Sequence, residues 1–176
     1  MHLALRSHPD WPCAAVAAVA VDVTRPRAGA LLLSYEVVGD IDALRIPPVV
    51  APVRTDELWR HTCFEAFIRP SSEAPYFEFN FAPSAQWAAY RFDSYRYGMR
   101  AADIAAPSIA AQSAPGRLTL QSALKLAALP PVPWRLGLSA VIEDAGGRLS
   151  YWALAHPPAR ADFHHQDGFI LDLPAS

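Results

Sequence analysis

The length of its apolar runs limits this chain more than any other feature. Hydrophobic residues come in short stretches, many of them alternating with polar ones, and each is closed by proline, glycine or a polar turn. The runs cover residues 13–24, 30–38, 59–69, 76–82, 86–95, 118–126, 134–143, 149–155 and 169–173. Strict alternation puts successive side chains on opposite faces of an extended chain, and runs of this length suit strands of ordinary size. No stretch carries a helical period long enough to cross over a parallel sheet. The cadence predicts an all-β fold, an antiparallel β-sandwich of immunoglobulin-like or jelly-roll-like kind. Short helical turns are expected in loops around 55–58 and 97–104. Pro47, Pro48, Pro130, Pro131 and Pro133 mark connections or edges, because proline cannot donate to a ladder.

Composition narrows the function. With 176 residues the chain suits one domain spanning 1–176, large enough for a core without staples. Apolar residues make up 52% and charged ones 18%, which excludes disorder. A net charge of −2 leaves no basic field to gather phosphates, so nucleic acid is not an expected partner. No apolar run reaches the ~20 residues of a membrane helix. Residues 13–23 make a poor signal segment, since Asp10, Trp11 and Pro12 precede them and the run ends in strand-like alternation. The expected location is the cytoplasm, with Cys13 and Cys63 as free thiols, since neither belongs to a CxxC or a zinc pattern.

One hairpin can be read residue by residue. In the first strand Phe64, Ala66 and Ile68 point one way, and Cys63, Glu65, Phe67 and Arg69 the other. In the second, Phe77, Phe79 and Phe81 oppose Tyr76, Glu78, Asn80 and Ala82. A connection over 70–75 sets Arg69 opposite Tyr76 and Glu65 opposite Asn80, with the phenylalanines in the core. Pro83, Ser84 and Ala85 turn the chain into a third strand. There Tyr90 and Phe92 are expected in the core, and Trp87 and Arg91 on the face of Glu65, Glu78 and Asn80, with Trp87 opposite Asn80. Gly146 and Gly147 mark a further hairpin turn between 143 and 149.

The segments LWRHTCFEAFIRP (58–70), YFEFNFAPSAQWAAYRF (76–92), SYWALAHP (150–157) and DFHHQDGFILDL (162–173) carry a resemblance. Together they resemble a bacterial group of DOMON-like proteins related to the family 9 carbohydrate-binding modules, over residues 11–173. The resemblance implies a β-sandwich that binds sugars or, in other branches, haem. Some relatives are fused to a UDP-N-acetylmuramate dehydrogenase, which points to cell-wall sugars; this chain contains no such flavoenzyme domain.

The expected function is non-catalytic binding of a small carbohydrate: an amino sugar, a sugar nucleotide or a cell-wall fragment. Trp87 would stack on the sugar, Glu65, Glu78 and Asn80 would take its hydroxyls, and Arg91 would reach a carboxylate or phosphate. Trp59, Arg60 and His61 would form a rim, or else Trp59 caps the core and His61 satisfies a carbonyl. A protein partner is the other reading of the same face. No cofactor is required. The alternatives are calcium, a metal held by His156, Asp162 and His164, or a b-type haem ligated by Met99 with His156 or His164. Since His164 and His165 are adjacent on an extended chain, at most one of them could join a metal site. A glycoside hydrolase using Glu65 and Glu78 is the catalytic alternative, since paired carboxyls on neighbouring strands have the composition of such a site.

Overall fold

The computed structural model describes residues 1–70, 75–158 and 160–175. The strands are β1 (His2–Ser7), β2 (Val16–Thr24), β3 (Ala30–Gly39), β4 (Cys63–Pro70), β5 (Tyr76–Phe81) and β6 (Trp87–Phe92). Then come β7 (Arg100–Ala101), β8 (Ser108–Ala114), β9 (Arg117–Lys125), β10 (Trp134–Glu143), β11 (Leu149–Ala153) and β12 (Leu171–Leu173). All of the strand pairings are antiparallel, and the sheet curls on itself as a sandwich. One layer runs β7-β6-β5-β4-β10-β11 and the other β2-β3-β9-β8. Strand β1 joins them: residues 2–5 pair with β2, whereas Arg6 and Ser7 pair with β11. Among the described residues no helix is long and apolar enough to cross a membrane.

The alternation of Phe64, Ala66 and Ile68, of Phe79 and Phe81, and of Val19, Val21 and Val23 puts all of them in one buried cluster between the layers. Tyr35 ties the layers together across that core: its ring lies 5.0 Å from Phe64 and its hydroxyl donates to the backbone carbonyl of Glu65 at 2.7 Å. Glu65 pairs with Asn80 and the Gly147 turn closes the β10–β11 hairpin, both as the alternation and turn residues predict. Cys13 and Cys63 are unpaired. Residues 71–74 of the β4–β5 connection lie outside the described residues.

The third strand of the layer departs from expectation by one residue. The backbone N–H of Ala82 donates to the carbonyl of Gln86 at 3.0 Å, which closes a three-residue loop with Ala85 in the left-handed region at φ +71°. The pairs that follow are Phe81 with Trp87, Asn80 with Ala88, and Glu78 with Tyr90. A one-residue change exchanges the two faces of a strand. Trp87 therefore faces the inter-sheet core at 6% exposure, under the Arg54 guanidinium at 4.4 Å. Arg91 pairs with Phe77 on that inner side, so it cannot meet Glu78. Tyr90 and Phe92 instead belong to a second cluster, on the outer face with Phe67, Tyr76 and Phe169.

The helical turns differ as well. A 3-10 turn occupies Leu58–Arg60, two more occupy Ile41–Ala43 and Gln166–Gly168, and the 97–104 stretch contains the short strand β7 in place of a helix. The strands β1 and β8 lie outside the runs expected to form strands. β8 is exposed along most of its length and β1 divides its pairing between two layers.

Candidate functional site: a loop-walled cavity on the outer face

The outer face of the β6-β5-β4-β10-β11 layer is the unusual one. Register places Tyr90 and Phe92, then Tyr76, Glu78 and Asn80, then Cys63, Glu65 and Phe67, then Ser139 and Val141, then Tyr151 side by side on it. Loops cover this face incompletely and leave a cavity of about 760 Å³. Its floor is Glu65, Phe67, Glu78, Tyr90, Phe92, Val141 and Tyr151. Segments from the rest of the chain supply the walls: Trp11, then Asp56, Glu57 and Trp59, then Arg96 and Met99, then residues 160–164.

Local backbone geometry aims several of these groups. Glu57 at φ +62° and Arg96 at φ +53° both occupy the left-handed region, which side-chain-bearing residues rarely adopt, and both line the cavity. Arg96 sits in a turn closed by Tyr97 N–H on Ser94, and Gly98 at φ +67° completes it. On the far side Gly137 lets the Gln166–Gly168 turn approach β10: a Cβ there would stand 3.1 Å from the Gly168 carbonyl oxygen. This contact seats Phe169 against Phe67 and Tyr76, at ring distances of 6.1 and 5.6 Å.

Two polar networks meet in the cavity. In the wall, Asp162 accepts from Tyr95 at 2.5 Å and from the Arg96 guanidinium at 2.8 Å, and these two hydrogen bonds, with the Arg96 charge, hold its carboxyl below the usual range despite burial. In the floor, the backbone N–H of Arg96 donates to the Tyr76 hydroxyl at 3.2 Å, and that hydroxyl is 2.8 Å from Nδ1 of His164. With the Tyr76 proton directed to Nδ1, the imidazole proton is on Nε2, 3.5 Å from Glu78 Oε2. Burial among Phe67, Tyr76 and Phe92, reinforced by the Arg96 charge, pushes His164 down to about 4, so the ring is neutral at pH 7. Glu65 is pushed up to about 8, by burial first and then by the neighbouring Glu78 charge; Ser139 donates to its Oε2 at 3.0 Å. Burial raises Glu78 too, against the opposing effect of the Asn80 amide, which donates to its Oε1 at 2.7 Å. The Cys63 thiol below them is pushed up by burial and by Glu65, and makes a poor nucleophile.

Of the residues singled out from sequence, Glu65, Glu78 and Trp59 line the cavity, and Asn80 supports Glu78 from beneath. Trp87 and Arg91 lie on the other side of the sheet. Arg60 bonds Glu57 at 2.8 Å, and His61 bonds Glu143 at 2.7 Å beside Arg45; neither lines the cavity. The sequence reading missed Trp11, Arg96 and Tyr151. Only the SYRYG stretch (94–98), a glycine-ended turn carrying a cation between tyrosines, hinted at one of them.

Among the described residues no group of three or more His, Cys, Asp or Glu side chains is arranged to hold a metal ion. His164 faces the cavity, while His165 caps the following turn by accepting from Asp167 N–H; His156 bonds the Arg6 carbonyl at 2.8 Å. Met99 and His164 both line the cavity, but both ring nitrogens of His164 face neighbours, Tyr76 and Glu78. The residues present do not fit an axial haem pair.

No protein-family model matches the chain, and no curated protein matches it. Solved structures do. A protein of Bacteroides uniformis ATCC 8492, provisionally described as carbohydrate-binding, aligns at a TM-score of 0.68 and 14% identity, over 96% of this chain and 84% of that one. A family 9 carbohydrate-binding module of Caldicellulosiruptor kristjanssonii, in complex with cellotriose, aligns at 0.60 and 12% identity, over 99% and 81%. The fold is that of family 9 carbohydrate-binding modules.

Proposed function

We propose that the protein is a non-catalytic carbohydrate-binding module whose ligand enters the outer-face cavity. One observation carries the reading: indoles left half exposed, Trp11 and Trp59 at 46% each, line the same cavity as two buried carboxyl groups. Leaving large apolar rings in water is costly unless something covers them, and a pyranose presents an apolar C–H face ringed by hydroxyls. The indoles would cover that face, while Glu78, Asp162 and Arg96 take hydroxyls. The volume suits a mono- or disaccharide. The two aligned proteins support the same reading by what they are described as binding.

The ligand classes within this proposal are an amino sugar, a sugar nucleotide and a cell-wall fragment. A DOMON-like relationship, a cytoplasmic location and the lack of a cofactor belong to the same proposal. Hydrolysis is the second reading, favoured by the Glu65–Glu78 pair in one cavity. A glycosidase needs one acid raised and one ionised, and Glu65, pushed up to about 8 by burial and by the neighbouring Glu78 charge, meets the first requirement.

Thermal unfolding against mono- and disaccharides tests the proposal. Ligand at a hundred times its dissociation constant stabilises by ~2.7 kcal/mol, a shift of roughly 5–10 °C at this size. A shift confined to certain sugars and lost in Trp59→Ala supports the site; a flat screen overturns it. Release of reducing sugar from an oligosaccharide, lost in Glu65→Gln, would replace binding with hydrolysis.

A further inference from the structure

The cavity has an excess of negative groups that the fold leaves uncompensated. Five carboxyl groups line it, those of Asp56, Glu57, Glu65, Glu78 and Asp162, against the guanidinium groups of Arg96 and Arg160. Arg96 is committed to Asp162, and Glu57 is bridged by Arg60 outside the cavity. Glu65 is the most telling of them. It is 2% exposed, and Ser139 satisfies its Oε2, yet among the described residues nothing donates to its Oε1. Glu78 repeats the arrangement, with Asn80 on Oε1 and only His164 at 3.5 Å from Oε2. The rings of Phe67, Tyr90 and Phe92 line the floor around them.

We propose that the cavity selects a sugar bearing a protonated amine, its ammonium seated against Glu65 and Glu78 among these rings. This rests on the sugar-binding reading and names the ligand class within it. A buried carboxyl without a cation recovers neutrality by holding a proton, and both groups here do so more readily than usual. An ammonium supplies the missing charge, donates to the open oxygens and is attracted by the ring faces. A phosphate or sugar carboxylate meets the same groups as a like charge, and Arg91, the cation expected from sequence to receive it, lies across the sheet. The groups that face the Glu65 carboxyl are Cys63 on its own strand, Glu78 on β5, Tyr151 on β11, and Arg96 from the wall, with His164 neutral beyond Glu78 and Tyr35 held to the Glu65 backbone carbonyl from the inner side of the sheet. Only Arg96 is a cation, and Asp162 already holds it. Ammonium binding therefore displaces the Glu65 proton to the buffer.

Isothermal titration at pH 6.5 with D-glucosamine, D-glucose and D-glucuronate tests this, in two buffers of different ionisation enthalpy. Glucosamine is expected to bind about tenfold or more tightly than glucose, with glucuronate weakest and with proton release for glucosamine alone. Glu65→Gln and, separately, Glu78→Gln should shrink the glucosamine-to-glucose ratio, and Glu65→Gln should abolish the proton release, in variants shown by melting to be folded. Equal binding of glucosamine and glucose overturns the amine selection and leaves the sugar-binding reading standing. A glucosamine advantage that survives both substitutions overturns it too. If no sugar binds, the sugar-binding reading falls and the amine selection falls with it.

Discussion

The two faces of the β4–β5–β6 strands are built from similar residues and serve opposite ends. The inner face, with Phe64, Ala66, Ile68, Phe79, Phe81 and Trp87, meets the second layer and has no carboxyl among these residues; its cations are at β6, where Arg54 covers Trp87 and Arg91 pairs with Phe77. The outer face, with Phe67, Tyr76, Tyr90 and Phe92, is equally aromatic but has Glu65, Glu78 and Asn80 among its rings, and loops cover it. A sheet packs tightly on another sheet because their pleats interdigitate; loops approaching from several directions leave space. Aromatic content alone therefore does not distinguish a core from the floor of a cavity. The interleaved carboxyls do.

Two tryptophans sharpen the contrast most. Trp87, buried in the inner face, should cost ~3–5 kcal/mol of stability when replaced by alanine, whereas Trp59→Ala at the exposed rim should cost under ~1 kcal/mol and lose sugar binding. Urea unfolding of both variants checks this; similar losses would break the distinction between the faces.

The next effect is in pH. Glu65 titrates near 8 in the folded protein against 4.5 unfolded, so folding favours its protonated form and that contribution is lost as pH rises through 8. His164 does the reverse, titrating near 4 folded and 6.5 unfolded, so its contribution is lost as pH falls through 6.5 towards 4. The two oppose each other from 4.5 to 6.5. Above 6.5 the Glu65 loss is no longer offset by His164, and stability should fall towards pH 8. Melting temperatures across this window should decline in the parent protein and flatten in Glu65→Gln; parallel declines would sink the assignment.

The smallest expected change is at Gly137→Ala. Its methyl would press on the Gly168 carbonyl, which would have to give by a few tenths of an ångström, and the loss should be ~1 kcal/mol. Hydrogen exchange should show the loss concentrated at residues 163–169, with the inner face unaffected.

Much of this could be read from the chain. The strand cadence, the pairing of Glu65 with Asn80 and the inward phenylalanines all follow from a period of two, which depends only on local backbone geometry. The faces of β6 could not be read. Both carry aromatic residues, and the register depends on a three-residue loop whose left-handed position is filled by Ala85, without the glycine that usually signals one. The walls of the cavity lay further out of reach. From sequence Trp59 is open to two readings, rim or core cap. Trp11, Arg96 and Asp162 stand far apart along the sequence, in loops with no period, and they meet because the curled sheet brings those loops over one face. Sequence by itself determined an antiparallel sandwich with two carboxyls set among aromatic residues on one face, since alternation is a property of each strand alone. Tertiary structure decided that Trp87 is core and that Trp11 and Trp59 are rim, because exposure depends on what other segments cover.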